Sequence, residues 1–307
     1  MSFLPRNARA DLFLCATLVI QLLLSFALAL FPRLAAAGYL GQTLLLYLFS
    51  YGAPIPLFLH LARWDAREVF PLPSLRLKNL LLALALALAV QPLMSFLSAF
   101  GLLFTANRAA EVLNQAAMPW GQAVIALALL PALCEELVYR GIVFSGFRNT
   151  SLKTAVLMNA LLFGLMHLNL QQFFYAFAMG LVFALLRYRT GSIFYPFVCH
   201  AGINTLQISA YYLTLAQSAG QVPDASATPE AVGPLLLASA LPAVLSLALT
   251  LFLLYLVRRA NPPAPSTGPA SEVALDHHPL PGTAERVLHP SLGALLFAFA
   301  VFSFLLS

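Results

Sequence analysis

The stretch Ala126-Leu127-Ala128-Leu129-Leu130-Pro131-Ala132-Leu133-Cys134-Glu135-Glu136-Leu137-Val138-Tyr139-Arg140 runs from an unbroken apolar segment straight into two adjacent glutamates. The apolar part is of membrane grade, and a carboxylate at bilayer depth costs about 2.5 to 3.5 kcal/mol on insertion scales. With only 11 acidic residues in the whole chain, two of them side by side inside such a helix point to chemistry.

Composition sets the solvent around that stretch. At 61% hydrophobic and 9% charged over 307 residues, the chain lacks the polar surface of a water-soluble globule and reads as an all-α, polytopic membrane helix bundle. Cys15, Cys134 and Cys199 lie in apolar runs without paired spacing, which excludes a disulfide framework or a thiolate zinc site. The net charge of +5 is spread over short loops, so no nucleic-acid partner is expected; membrane lipid is the main one.

Hydropathy divides the chain into about eight or nine transmembrane helices, near 12–31, 39–61, 79–104, 118–139, 153–171, 173–188, 192–214, 234–257 and 291–306. The first run is longer than a signal-peptide core, which favours an uncleaved anchor. Basic residues fall in alternate loops: Arg6 and Arg9; Arg63, Arg67, Arg76 and Lys78; Arg148 and Lys153; Arg187 and Arg189; Arg258, Arg259 and Arg286. The positive-inside rule then places the N-terminus in the cytoplasm and the C-terminus outside.

The expected organisation is N-terminal transmembrane helices over 1–110, a catalytic core over 111–215, an outside loop and eighth helix over 216–258, and a last helix over 291–307. Between the last two, 259–290 is proline-rich and polar, reading as a disordered linker. His277 and His278 in that linker lack further ligands for a metal.

Strongly polar side chains gather in the middle third. Glu136 and Arg140 are four apart and share a helix face, while Glu135 is rotated by about 100° and points elsewhere. The next run places Phe163 one turn before His167, with Gly164 allowing close approach of another helix. A later run sets His200 and Asn204 four apart on one face. Singly, each has a plain alternative: a Glu–Arg pair locking helices, or histidines and an amide serving as interhelical hydrogen-bonding groups. Together, in a chain so poor in polar groups, they are expected to converge on one cavity.

A carboxylate in such a cavity can act as general base toward water. One imidazole can hold that water, and a second imidazole with an amide can donate to the oxyanion of a tetrahedral intermediate. There is no Gly-x-Ser-x-Gly elbow and no cysteine with an evident base, which disfavours a covalent nucleophile. A His-Glu-x-x-His zinc helix is absent too, although Glu135, His167 and His200 from separate helices could coordinate zinc. Zinc and metal-free chemistry both remain open.

Glu135-Glu136-x-x-x-Arg140, Phe163-x-x-x-His167 and His200-x-x-x-Asn204, in this order on successive spans, resemble the CAAX prenyl protease and bacteriocin-processing (CPBP, or ABI) family of intramembrane proteases. The resemblance covers about residues 118–214 with all three motifs complete. It implies a multi-pass endopeptidase, in a bacterial cell membrane, whose site opens to the cytoplasm. Glu135 would activate water, His167 position it, and His200 and Asn204 stabilise the oxyanion, with Glu136, Arg140 and Phe163 in support. The implied substrate is a membrane-anchored or lipidated protein cut near its C-terminus. A competing reading is a transporter or proton relay built on the same ionisable groups; no related halves with interrupted helices are visible to favour it.

One geometric tension stands in the sequence. At about 1.5 Å per residue, His167 lies much farther from the cytoplasmic end of its run, at Lys153, than Glu135 and His200 lie from theirs. The fifth run is therefore expected to tilt, or to begin before Lys153, if the three are to meet.

Overall fold

Each apolar run of the sequence folds as helix, and no strand occurs among the described residues. The computed structural model describes residues 4–31, 38–116, 118–218, 229–262, 287 and 289–305. In chain order the helices are α1 (Arg6–Leu30), α2 (Gly38–Ala62), α3 (Ala66–Val69), α4 (Leu77–Ala89), α5 (Gln91–Gly101), α6 (Arg108–Ala116), α7 (Trp120–Gly146), α8 (Leu152–Leu165), α9 (Leu170–Thr190), α10 (Phe194–Gln217), α11 (Pro229–Ala260) and α12 (Pro290–Leu305). Most of the linker expected over 259–290, with His277 and His278, lies outside the described residues.

The chain is an all-α polytopic bundle, as composition requires. By length and apolar character, α1, α2, α7, α9 and α11 can each cross a membrane; α4 and α5, bent by 40° at their junction, pass the same test as a pair, as a broken span or a re-entrant loop. The bend falls just before Pro92, whose missing N–H interrupts the helical ladder. The other stretches differ from the sequence expectation for physical reasons. Helices α8 and α12 have 14 and 16 residues, about 21 and 24 Å, which is short of a 30 Å hydrocarbon core. Helix α10 has 24 residues but spends them partly on His200, Asn204 and Gln207, and falls short in hydropathy.

Helices α8 and α9 form the closest pair, an antiparallel hairpin turned at His167-Leu168-Asn169. Gly180 permits it: a Cβ there would lie 2.7 Å from the Ala160 Cα. Helix α10 packs along α7 and α4, α11 along α4 and α5, and α9 touches α5, α10 and α11. Helices α1 and α2 pack on α7, and α12 rests on α1 and α8. The buried core runs through Leu14, Tyr51, Leu86, Met94, Val138, Phe144, Phe163, Phe183, Tyr195 and Ile203.

The glutamate-bearing helix is irregular. Wide i→i+5 turns occupy Ile125–Leu129 and Leu137–Val143 of α7, and a third occupies Leu48–Gly52 of α2. Those at 48–52 and 125–129 stand just ahead of Pro54 and Pro131, which cannot donate a backbone N–H to the preceding turn. No proline follows the turn at 137–143; side chains of neighbouring helices hold it instead. Arg187, read from sequence as a loop residue, is one of them: it lies fully buried in α9 and its Nε donates to the Arg140 carbonyl at 3.2 Å.

Candidate active site

Three helices and one turn supply the motif residues. Glu135, Glu136 and Arg140 come from α7, Phe163 from α8, His167 from the turn after it, and His200 and Asn204 from α10. Helix α9 supplies Gly180, Phe183 and Arg187 behind them.

The two glutamates have divided their labour as their rotation around the helix predicts. Glu136 is 1% exposed, and its Oε1 accepts from Arg140 Nη1 at 3.1 Å and meets His200 Nδ1 at 2.9 Å. Arg140, itself fully buried, also donates through Nη2 to the Gly180 carbonyl at 3.2 Å, and its guanidinium lies 4.6 Å from the Phe163 ring and 4.8 Å from that of Phe183. This is a desolvated ion pair roofed by aromatic faces, the setting in which arginine's planar fork is best used. Glu135 is different: its side chain is 16% exposed, accepts no hydrogen bond from a described residue, and faces His200 Nε2 at 3.8 Å.

The hydrogen bonds fix the roles of the ring nitrogens. His167 Nδ1 lies 2.8 Å from the Phe163 carbonyl; a carbonyl only accepts, so Nδ1 carries the proton and Nε2 of the neutral ring keeps a free lone pair. That carbonyl is available because the last turn of α8 tightens, with the His167 N–H going to Gly164 rather than Phe163. His200 likewise turns Nδ1 to the Glu136 carboxylate, so its Nε2 can donate a hydrogen bond only when the ring is doubly protonated. The His200 ring stacks on Phe183 at 4.9 Å and meets Phe163 edge-on at 5.8 Å. Asn204 is engaged by a weaker contact: Nδ2 donates at 3.4 Å to the Leu127 carbonyl, which Pro131, four residues on, cannot serve.

Several site residues escape motif reading. Asn159, fully buried in α8, donates at 2.6 Å to the Tyr139 carbonyl, and with Arg187 it secures the wide turn of α7. Both carried a legible signal: Asn159, Phe163 and His167 recur every fourth residue, and Arg187 follows Gly180 by seven, so each shares a helix face with a site residue. Tyr47, Tyr51, Tyr139 and Tyr175 all lie within the field of Glu135. Tyr51, buried on the wide turn of α2, accepts a hydrogen bond from Gln21 Nε2 at 2.7 Å. Their distance from the glutamates in sequence hides them. The closing of the hairpin brings His167 beside its Phe163 partner, 5.1 Å ring to ring, and Phe163 in turn faces His200. Helix α8 begins at Leu152, one residue before Lys153, and His167 stands in the turn that follows its last residue, Leu165. No three His, Cys, Asp or Glu side chains among the described residues are grouped to hold a metal ion. Glu135, His167 and His200 therefore form no ready zinc set in this arrangement.

Residues 117–206 match the family model of type II CAAX prenyl endopeptidase Rce1-like proteins. A Bacillus subtilis (strain 168) protein named as a candidate membrane peptidase, YdiL, is 30% identical over 86 residues, 28% of this chain and 35% of that protein. The match thus spans about a third of that curated relative's length. No solved structure matches. The central segment, which holds Glu135, Glu136, Arg140, Phe163, His167, His200 and Asn204, is similar to the type II CAAX prenyl endopeptidase family toward which its motifs point.

Proposed function

We infer that this protein is an intramembrane endopeptidase that hydrolyses peptide bonds of membrane-anchored or lipidated proteins near their C-terminus, with the N-terminus and the mouth of the site on the cytoplasmic side. The observation that carries this reading is the asymmetry of the glutamate pair: Glu136 is committed to Arg140 and His200, and Glu135 is free to act.

The chemistry follows from those positions. The Glu135 carboxylate takes a proton from water whose other hydrogen is held by the His167 Nε2 lone pair, and the water oxygen bonds to the scissile carbonyl carbon. The carbonyl oxygen becomes an oxyanion. His200 Nε2, a donor when the ring carries both protons, and Asn204 Nδ2, exchanging the long Leu127 contact for a charged acceptor, hydrogen-bond to it. Collapse breaks the C–N bond, and Glu135 returns its proton to the departing amine. The family match over 117–206 supports the reaction class, and the apolar surroundings of the site favour a substrate already held in the membrane.

The test is cleavage of quenched peptides, with and without a lipidated C-terminal cysteine, by purified protein in detergent. Turnover by wild type and its loss in Glu135→Gln are expected, and a chelator arm decides whether a metal takes part. Folded wild type that cleaves none of the peptides, or cleaves equally well without Glu135, would overturn the assignment.

A further inference from the structure

The turn that carries His167 is held from outside the family-matched segment. Helix α5 and the residues after it present Ser98, Gly101 and Thr105, spaced three and four apart on one face, to the start of α9. The Thr105 hydroxyl donates to Asn169 Oδ1 at 3.3 Å and accepts the Gln171 N–H at 3.1 Å. Gln171 Nε2 donates to the Ser98 hydroxyl at 2.5 Å and also reaches the Ser98 carbonyl at 3.4 Å. Asn169 Oδ1 in addition caps α9 by accepting the Gln172 N–H at 3.0 Å. Thr105, Asn169 and Gln171 are all buried. Gly101 lets the backbones touch: a Cβ there would stand 2.5 Å from the Gln171 Cα.

Between this network and the His167 ring lies a single residue, Leu168, in the left-handed conformation at φ 53°. A leucine adopts that conformation only where its surroundings enforce it. The chain on one side is fixed by the ring's own bond to the Phe163 carbonyl, and on the other by Asn169 and Gln171. A shift of Asn169 is transmitted through Leu168 to the imidazole.

We propose that Ser98, Gly101 and Thr105 are positioning residues for His167, acting through Asn169 and Gln171 to hold its Nε2 toward the water that Glu135 activates. The proposal rests on the hydrolase reading, and it assigns a catalytic-geometry role to a helix that lies outside residues 117–206.

The full-length protein in detergent tests it with Thr105→Val, which keeps shape and removes the hydroxyl, and Thr105→Ser, which restores it. On the most active peptide, kcat of Thr105→Val is expected to fall on the order of 10- to 100-fold with KM within about twofold, as for a misplaced catalytic group, and Thr105→Ser to recover most of it. Nitrogen-labelled histidine NMR reads the ring independently of turnover: wild type and Thr105→Ser should show His167 as one Nδ1–H tautomer, and Thr105→Val should lose that single state. Gly101→Ala, which displaces the same backbone, should move the same resonance. A His167 signal unchanged in both Thr105→Val and Gly101→Ala would overturn the proposal. If the signal moves but folded wild type hydrolyses nothing, the positioning network stands and the hydrolase assignment fails.

Discussion

Glu135 faces His200 Nε2 across 3.8 Å while Glu136 holds the same ring through Nδ1 at 2.9 Å, so one imidazole separates a carboxylate with no hydrogen bond to a described residue from one committed to Arg140. The two glutamates should therefore fail differently.

Glu135→Gln removes the base but no hydrogen bond to a described residue, so hydrolysis should collapse while the thermal unfolding midpoint in detergent stays close to that of wild type. Glu136→Gln leaves Arg140 buried without its counter-charge, which costs about 3 to 5 kcal/mol when a buried pair is broken. Its unfolding midpoint should drop sharply, and activity with it. Thermal melts and turnover measured on both variants check the division.

Asn204→Ala should lower kcat about 100- to 1,000-fold, the cost of one oxyanion donor, with little loss of stability because its contact with Leu127 is long, at 3.4 Å. A stability loss as large as that of Glu136→Gln would mean that the amide serves the helix junction instead.

Asn159→Ala would take one of two donors from the buried Tyr139 carbonyl, which keeps the Phe144 N–H, at a cost of about 0.5 to 1.5 kcal/mol for one hydrogen bond. Because the wide turn it secures lies immediately after Glu136, faster amide exchange over 137–143 should accompany the loss, and hydrogen-exchange mass spectrometry would detect it.

Gly180→Ala forces a Cβ to within 2.7 Å of the Ala160 backbone. Separating α8 from α9 should destabilise the protein by about 1 to 3 kcal/mol, in the range of overpacking, and lengthen the Arg140 bond to the Gly180 carbonyl. Arg140→Lys, which cannot reach both Glu136 and that carbonyl with one fork, should reproduce part of the effect in a thermal melt.

Apolar runs made the helical bundle legible in the sequence, and the motif spacing showed which polar residues share a face within each run, because both follow from local periodicity. The number of spans was harder to read. Hydropathy registers apolar length, and it cannot show that α8 stops at Leu165 and turns at His167, a conformation stabilised by Thr105, Asn169 and Gln171. Arg187 was misplaced for a related reason: an arginine near a helix end looks like a loop charge until the Arg140 carbonyl that it serves is known. Tyr47 and Tyr51 were invisible as site residues, since nothing in the order of the chain connects α2 to Glu135.

The wide turns of α7 bear on how the protein is made. Three of its carbonyls, those of Leu127, Tyr139 and Arg140, find donors on Asn204, Asn159 and Arg187, which belong to helices synthesised later. When α7 first leaves the ribosome none of those donors exists, and the helix has neither its final winding nor its final display of carboxylates. The final shape of α7 is thus completed only by the arrival of α8, α9 and α10.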